Sequence, residues 1–189
     1  VKGAAQGEGL GNQFLANIRA CDAVAHVVRC FSDDNVVHVH GDVNPLHDID
    51  IIETELVLKD LETVEKRMEN VQKKVRANDK DAKEEHEYLT GLRTHLDGGR
   101  TARTYERDDK TSVFIRQLQL LTDKPVMYVA NTDEAGVKNG NQYVDAVRTR
   151  AAAEGAVVVP ICAKIESEIA LLDPDDRDVF LSDLGMEEP

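Results

Sequence analysis

The sequence predicts an α/β domain on a parallel sheet, interrupted by an antiparallel helical hairpin. Three observations carry this. First, the apolar runs 23–31 (AVAHVVRCF), 125–131 (PVMYVAN) and 156–162 (AVVVPIC) are rich in β-branched residues and nearly continuous. Strands covered on both faces read this way. Second, helical stretches separate the runs, and such alternation argues for a layered α/β arrangement. Third, apolar residues in a long stretch between the first two runs recur at spacings of three and four. There, 17 of the 29 residues from 59 to 87 are charged, so this part reads as paired amphipathic arms rather than sheet.

Taken in order, 12–20 carries Phe14, Leu15 and Ile18 on one side and reads as a helix leading into the first strand. The first hairpin arm presents Leu61, Val64, Met68, Val71 and Val75. After a turn at Asn78-Asp79 the second arm presents Ala82, Leu89, Leu92 and Leu96, with polar Glu85 at an intervening position. Gly98-Gly99 closes that arm. A helix over 111–121, capped near Thr111-Ser112, leads back to the second strand, and another over 141–154 ends at Gly155. The expected division is a partial α/β part at 1–44, a helical insertion at 45–109 and the remainder at 110–189.

Thirty-six acidic against 23 basic residues give a net charge of −13, which disfavours sequence-blind binding to nucleic acid or anionic lipid. No apolar run is long enough to cross a bilayer. Cys21, Cys30 and Cys162 are odd in number and lie in or beside apolar segments, as reduced thiols of a cytoplasmic protein do. No signal-like segment opens the chain, and its start at Val1 rather than methionine hints at a piece of something longer. Lys66, Arg67, Lys73, Lys74 and Arg76 form a basic cluster, but Glu65 and Glu69 interleave it and no aromatic residue is present to stack on bases. As a nucleic-acid signal it is weak, and a solvated helix face is the more ordinary account of it.

Among residues with chemistry to offer, the glycines at 3, 7, 9 and 11 form neither a dinucleotide fingerprint nor a phosphate loop; no G-x-x-x-x-G-K-[ST] run occurs in the chain. They read as a loop into a helix, or as a switch segment that moves with a ligand. The tetrad Asn131-Thr132-Asp133-Glu134 follows an apolar strand, where ligands of open α/β sheets bind. An Asn amide offers a donor and an acceptor to a purine edge, and a carboxylate three residues on can accept from an amino group. The same tetrad also suits an ordinary turn. Cys162, Ala163 and Lys164 follow the third strand and supply backbone N–H groups and an aliphatic stem, so the two loops can hold a planar base between them. His26 reads as a core or near-core residue. His38 and His40 lie in a loop where an imidazole can orient water or act as a base near neutral pH. No four-ligand spacing is present for a structural zinc site, and no metal ligand is assigned.

The segments VKGAAQGEGLGNQFLANIRACDAVAHVVRCF and DDNVVHVHGDVNPLHDIDIIETELVLKDLETVEKR, the tetrad NTDE and the run PICAKIESEIA closely resemble the Obg-like ATPase (YchF) subfamily of translation-factor-related P-loop NTPases. The resemblance covers essentially the whole chain. It implies the C-terminal half of a P-loop NTPase G domain, interrupted by a coiled-coil hairpin. The P-loop, switch I and D-x-A-G-L motif would lie ahead of Val1 and a TGS domain beyond Pro189. It further implies a cytoplasmic, ribosome-associated protein that hydrolyses ATP in preference to GTP. Mg2+ would be held by the missing N-terminal part, with no membrane or sequence-specific DNA partner. The guanine-reading N-K-x-D motif takes the N-x-x-E form here, so the resemblance carries Asn131, Thr132 and Glu134 over as base contacts. Cys162, Ala163 and Lys164 become the opposite wall, and His38 the group that supports hydrolysis. Without a phosphate nest the 189 residues alone are expected not to hydrolyse ATP. The first strand is expected to leave an apolar edge open.

Overall fold

In the computed structural model the described residues are 11–33, 42–173, 176, 177, 179 and 181. The chain divides into two compact units, Val1–Val24 with His47–Val126 and Ala25–Leu46 with Met127–Pro189.

The first unit is helical. After α1 (Gly11–Ala20), the arms of the hairpin are α2 (Pro45–Arg76) and α3 (Lys80–Asp97). Pro45 opens α2 because its fixed φ suits a first helical turn and its missing N–H is not needed there. Val57, Val64 and Val71 of α2 share one buried cluster with Ala82, Tyr88, Leu89, Leu92 and Leu96 of α3. Their seven-residue spacing on α2 is a coiled-coil seam. Glu85, the polar residue at a seam position, is met by Arg67 across the hairpin at 2.6 Å, and Glu65 pairs with Arg93 at 3.0 Å. Partner numbers rise on one arm as they fall on the other, so the arms are antiparallel. The turn lies at Asn78-Asp79, where Asn78 takes φ 64° and Asp79 caps α3 by accepting the Ala82 N–H at 3.1 Å.

A short 3-10 turn (Ala102–Thr104) and α4 (Asp109–Leu118) complete this unit. The helix starts earlier than 111 because Asp108 is the cap: its carboxylate accepts the Thr111 N–H at 2.8 Å, and Thr111 Oγ1 accepts the Asp108 N–H at 2.9 Å. That reciprocal capping box fixes the first turn. Leu15 of α1, Leu56 of α2 and Leu121, which follows α4, bury one another.

The second unit carries a three-stranded sheet in the order β1-β2-β3, with β1 at Val24–Arg29, β2 at Val126–Asn131 and β3 at Val157–Ile161. β2 and β3 are parallel, with Met127 opposite Val157 and Asn131 opposite Ile161. Bonds Val24 N–H to Pro125 O and Cys30 N–H to Asn131 O keep one offset, so β1 is parallel to β2 as well. Pro160 is tolerated because β3 lies at the sheet edge among the described residues. The helices α5 (Glu134–Asn139), α6 (Gln142–Glu154) and α7 (Ala163–Ile169) follow the strand ends. Gly155 ends α6 in the left-handed region at φ 67°, as the sequence suggested. The strands are not covered on both faces: Val28, Cys30, Tyr128 and Ala130 are buried, while Val27 and Val157 are each 63% exposed and Met127 is also open. Continuous apolar runs here reflect one buried face and one that is partly exposed.

Candidate functional site

The parallel register decides what lies together. Asn131 ends β2 opposite Ile161, so the segments 131–134 and 162–164 leave the carboxyl edge side by side. Two bonds tie them. Asn131 Oδ1 accepts the Ala163 N–H at 3.1 Å, and the Thr132 N–H donates to Ile161 O at 2.8 Å. With its oxygen so occupied, Asn131 keeps an Nδ2 donor that has no partner among the described residues. Asp133 caps α5 by accepting the Gly136 N–H at 2.7 Å, which sets Glu134 as the first residue of that helix. The Glu134 side chain is 61% exposed and loosely paired with Lys138 at 3.4 Å, so its carboxylate is available at the surface. A carboxylate at a helix N-terminus is also held there by the helix dipole.

Ala163 and Lys164 are exposed at the facing segment. Two of the expected contacts differ. Thr132 is 2% exposed, and its hydroxyl donates to the Cys30 carbonyl at 3.1 Å while accepting from Asn141 Nδ2 at 2.9 Å. Its side chain therefore holds the loop and offers nothing to a base. Cys162 likewise turns inward, packing with Ile165, Ile169 and Leu181, so only its backbone faces the opening. Burial of a β-branched or thiol side chain beside a strand end outweighs any surface role. His38 lies outside the described residues, as do His40 and the glycines at 3, 7 and 9. His26 is half-buried, its ring 5.8 Å from that of Tyr128, a near-core position as expected.

The Cys30 thiol offers no nucleophile. Cys30 is fully buried, and that burial pushes its thiol up to about 11, so it stays protonated at neutral pH. Among the described residues no group of three or more His, Cys, Asp or Glu is placed to hold a metal ion. No helix among them is long and apolar enough to cross a membrane.

A parallel sheet with paired polar loops at its carboxyl edge and a helical hairpin inserted after its first strand defines an open-sheet α/β protein able to take a ligand at its strand ends. No family model matches the chain. Over 100% of its length, however, it is 51% identical to the ribosome-binding ATPase YchF of Escherichia coli O157:H7 and 49% identical to that of Bacillus subtilis (strain 168). Its fold matches the structure of the Schizosaccharomyces pombe YchF GTPase with a TM-score of 0.81 at 30% identity, covering 100% of this chain and 52% of that one. The chain is thus homologous, over its whole length, to about one half of the YchF proteins. It spans about half the length of the relatives it matches, 52% in both bacterial cases.

Sequence reasoning missed Asn141, Gly136 and Asp60. Asn141 was visible only as a helix start, and Asp60 gave no local signal, because its partners lie at 121 and 122.

Proposed function

We propose that these residues supply the base-reading part of the nucleotide site of a cytoplasmic, ribosome-associated ATPase that takes ATP in preference to GTP and works as a nucleotide-dependent switch in translation or stress response. The observation that carries this is the bond between Asn131 and Ala163, which frees the Asn131 amide donor beside the exposed Glu134 carboxylate. A donor there suits purine N7, and an acceptor suits an exocyclic amino group. Guanine reading rests on a short carboxylate bonded to N1–H and the N2 amino group, with a lysine stem over the ring. Here the carboxylate is longer and the second position is the buried Thr132, so that geometry is not built and adenine is the better fit. Lys164 supplies the aliphatic wall. His38 is the proposed water-orienting group. Mg2+ is expected with the phosphates, and no described residue is given to it. The 189 residues by themselves contain no phosphate loop and are proposed to bind nucleotide through the base without turning it over.

Competition of ATP and GTP against a fluorescent adenine nucleotide tests this. ATP is expected to displace the probe at lower concentration, and Asn131→Ala to weaken binding about tenfold. Equal displacement by the two would overturn the adenine preference. Failure of both to bind would overturn the base site itself.

A docking role for the hairpin has its own support. Lys73, Lys74 and Arg76 are exposed at the end of α2 and have no partner among the described residues, in a chain of net charge −13. The bacterial relatives are named as ribosome-binding, and ribosomal RNA is a phosphate surface such cations suit. Reversing all three to glutamate is expected to lower co-sedimentation with ribosomes about tenfold. Unchanged sedimentation would place the contact elsewhere.

A further inference from the structure

We infer that Asn141 is a positioning residue for the base loop: its one amide pins the ends of β1 and β2 to the start of α6 and so holds the aim of Asn131 and Glu134. The inference rests on the nucleotide-site reading above. Asn141 Nδ2 donates to the Cys30 carbonyl and to Thr132 Oγ1, each at 2.9 Å. Its Oδ1 accepts the N–H groups of Tyr143 and Val144, also at 2.9 Å each. These four bonds fill the hydrogen-bonding capacity of the amide.

A helix cap alone does not call for this. Ser, Thr or Asp would serve as well at that position, because a cap needs only an acceptor oxygen. Asn adds two donors, and both point back at strand ends. Thr132 Oγ1 in turn donates to the same Cys30 carbonyl at 3.1 Å, and the Cys30 N–H donates to Asn131 O at 2.7 Å. The residue that Asn141 grips just past β1 is thus bonded to Asn131, and the residue it grips just past β2 is the chain neighbour of Asn131. Gly136 closes the arrangement from α5, since a Cβ there would stand 2.1 Å from Thr132 Oγ1 and 2.8 Å from Asn141 Nδ2. A binding group is only as well aimed as the side chains that lock it.

Asn141→Ser separates the two roles, because the hydroxyl still caps α6 but cannot reach both strand ends. In the full chain without nucleotide, amide hydrogen exchange at Thr132 and Ala163 is expected to speed up about tenfold, with Val147 and Ala151 in α6 unchanged. Unaltered exchange at Thr132 and Ala163 would overturn the pin. In the ATP and GTP competition, the same variant is expected to weaken ATP binding about tenfold and move the ATP-to-GTP ratio toward one. Thr132→Val should do likewise and Thr132→Ser should restore both. Faster exchange with an unmoved nucleotide ratio would also overturn the inference, leaving a structural bond only. If the unaltered chain binds neither nucleotide, the base-site reading fails by itself, and the exchange at Thr132 and Ala163 decides the pin.

Discussion

Asp60→Ala is expected to lower the unfolding free energy by about 4 kcal/mol, from the orphaning of two backbone donors at about 1–3 kcal/mol each and the loss of a third bond. Asp60 is fully buried inside α2. Its Oδ1 accepts the Leu121 N–H at 2.7 Å, and its Oδ2 accepts the Thr122 N–H at 2.8 Å and the Thr122 hydroxyl at 2.7 Å. The same hydroxyl oxygen accepts the Ala102 N–H at 2.9 Å, and Thr122 O accepts the Arg103 N–H at 3.1 Å. One carboxylate therefore ties the first hairpin arm to the segment that feeds β2 and, through Thr122, to the 3-10 turn. Burial pushes the Asp60 carboxyl above its usual range, opposed by the bonds from Thr122 and Leu121 and by the Arg19 charge. Alanine removes the acceptors and leaves both N–H groups where water does not reach.

The readout is a urea midpoint that falls with an unchanged slope, or a melting temperature lower by about 10 °C. Asp60→Asn separates charge from shape. Its amide keeps one acceptor but turns an NH2 group on a backbone donor, so it is expected to lie within about 1 kcal/mol of alanine. An alanine variant within about 1 kcal/mol of the parent would show that the contact does not hold the arm.

Asp60 also shows where sequence reading stops. The hairpin was legible because its signals are local: the three-and-four spacing of Leu61, Val64, Met68 and Val71, and a turn at Asn78-Asp79 that only a residue tolerant of positive φ completes. By the same pattern Asp60 belongs to a charged, solvated stretch, and nothing within a few residues reveals the donors at 121 and 122. The cap of α4 was misplaced because Asp108 and Thr111 share it, and either alone suggests a different start. At the base loops, strand ends were legible from apolar runs, so Asn131 was expected at the end of β2, whereas α5, which begins at Glu134, was not anticipated. Nor was the inward turn of Thr132, since it depends on a carbonyl at Cys30, just past the neighbouring strand. Continuous apolar strands were likewise read as doubly covered, although coverage depends on what packs against the sheet.

Gly136→Ala gives the sharpest test of that loop, because two effects predict opposite signs. Gly136 lies within α5, and replacing a helical glycine by alanine ordinarily stabilises by about 0.5–1 kcal/mol. Here a Cβ would stand 2.1 Å from Thr132 Oγ1, 2.8 Å from Asn141 Nδ2 and 3.0 Å from Asp133 Oδ1. Thr132 cannot swing aside cheaply, since its hydroxyl is bonded to Cys30 O and to Asn141. Either α5 retreats and carries Glu134 with it, or Thr132 gives up two buried bonds. Overpacking and bond loss together should outweigh propensity, with a net cost of about 3 kcal/mol. Thermal unfolding reads the sign directly, and the ATP competition should show weakened binding because Glu134 moves. Pairing the change with Thr132→Ala isolates the cause. Removing Oγ1 makes room for the new methyl, so the double variant is expected to be about 1 kcal/mol or more better than the two single losses combined. Additive losses would mean that the close approach of Gly136 to Thr132 is not what fixes α5. A stabilised single variant would mean that the helix has slack and that Glu134 is not held in place by it.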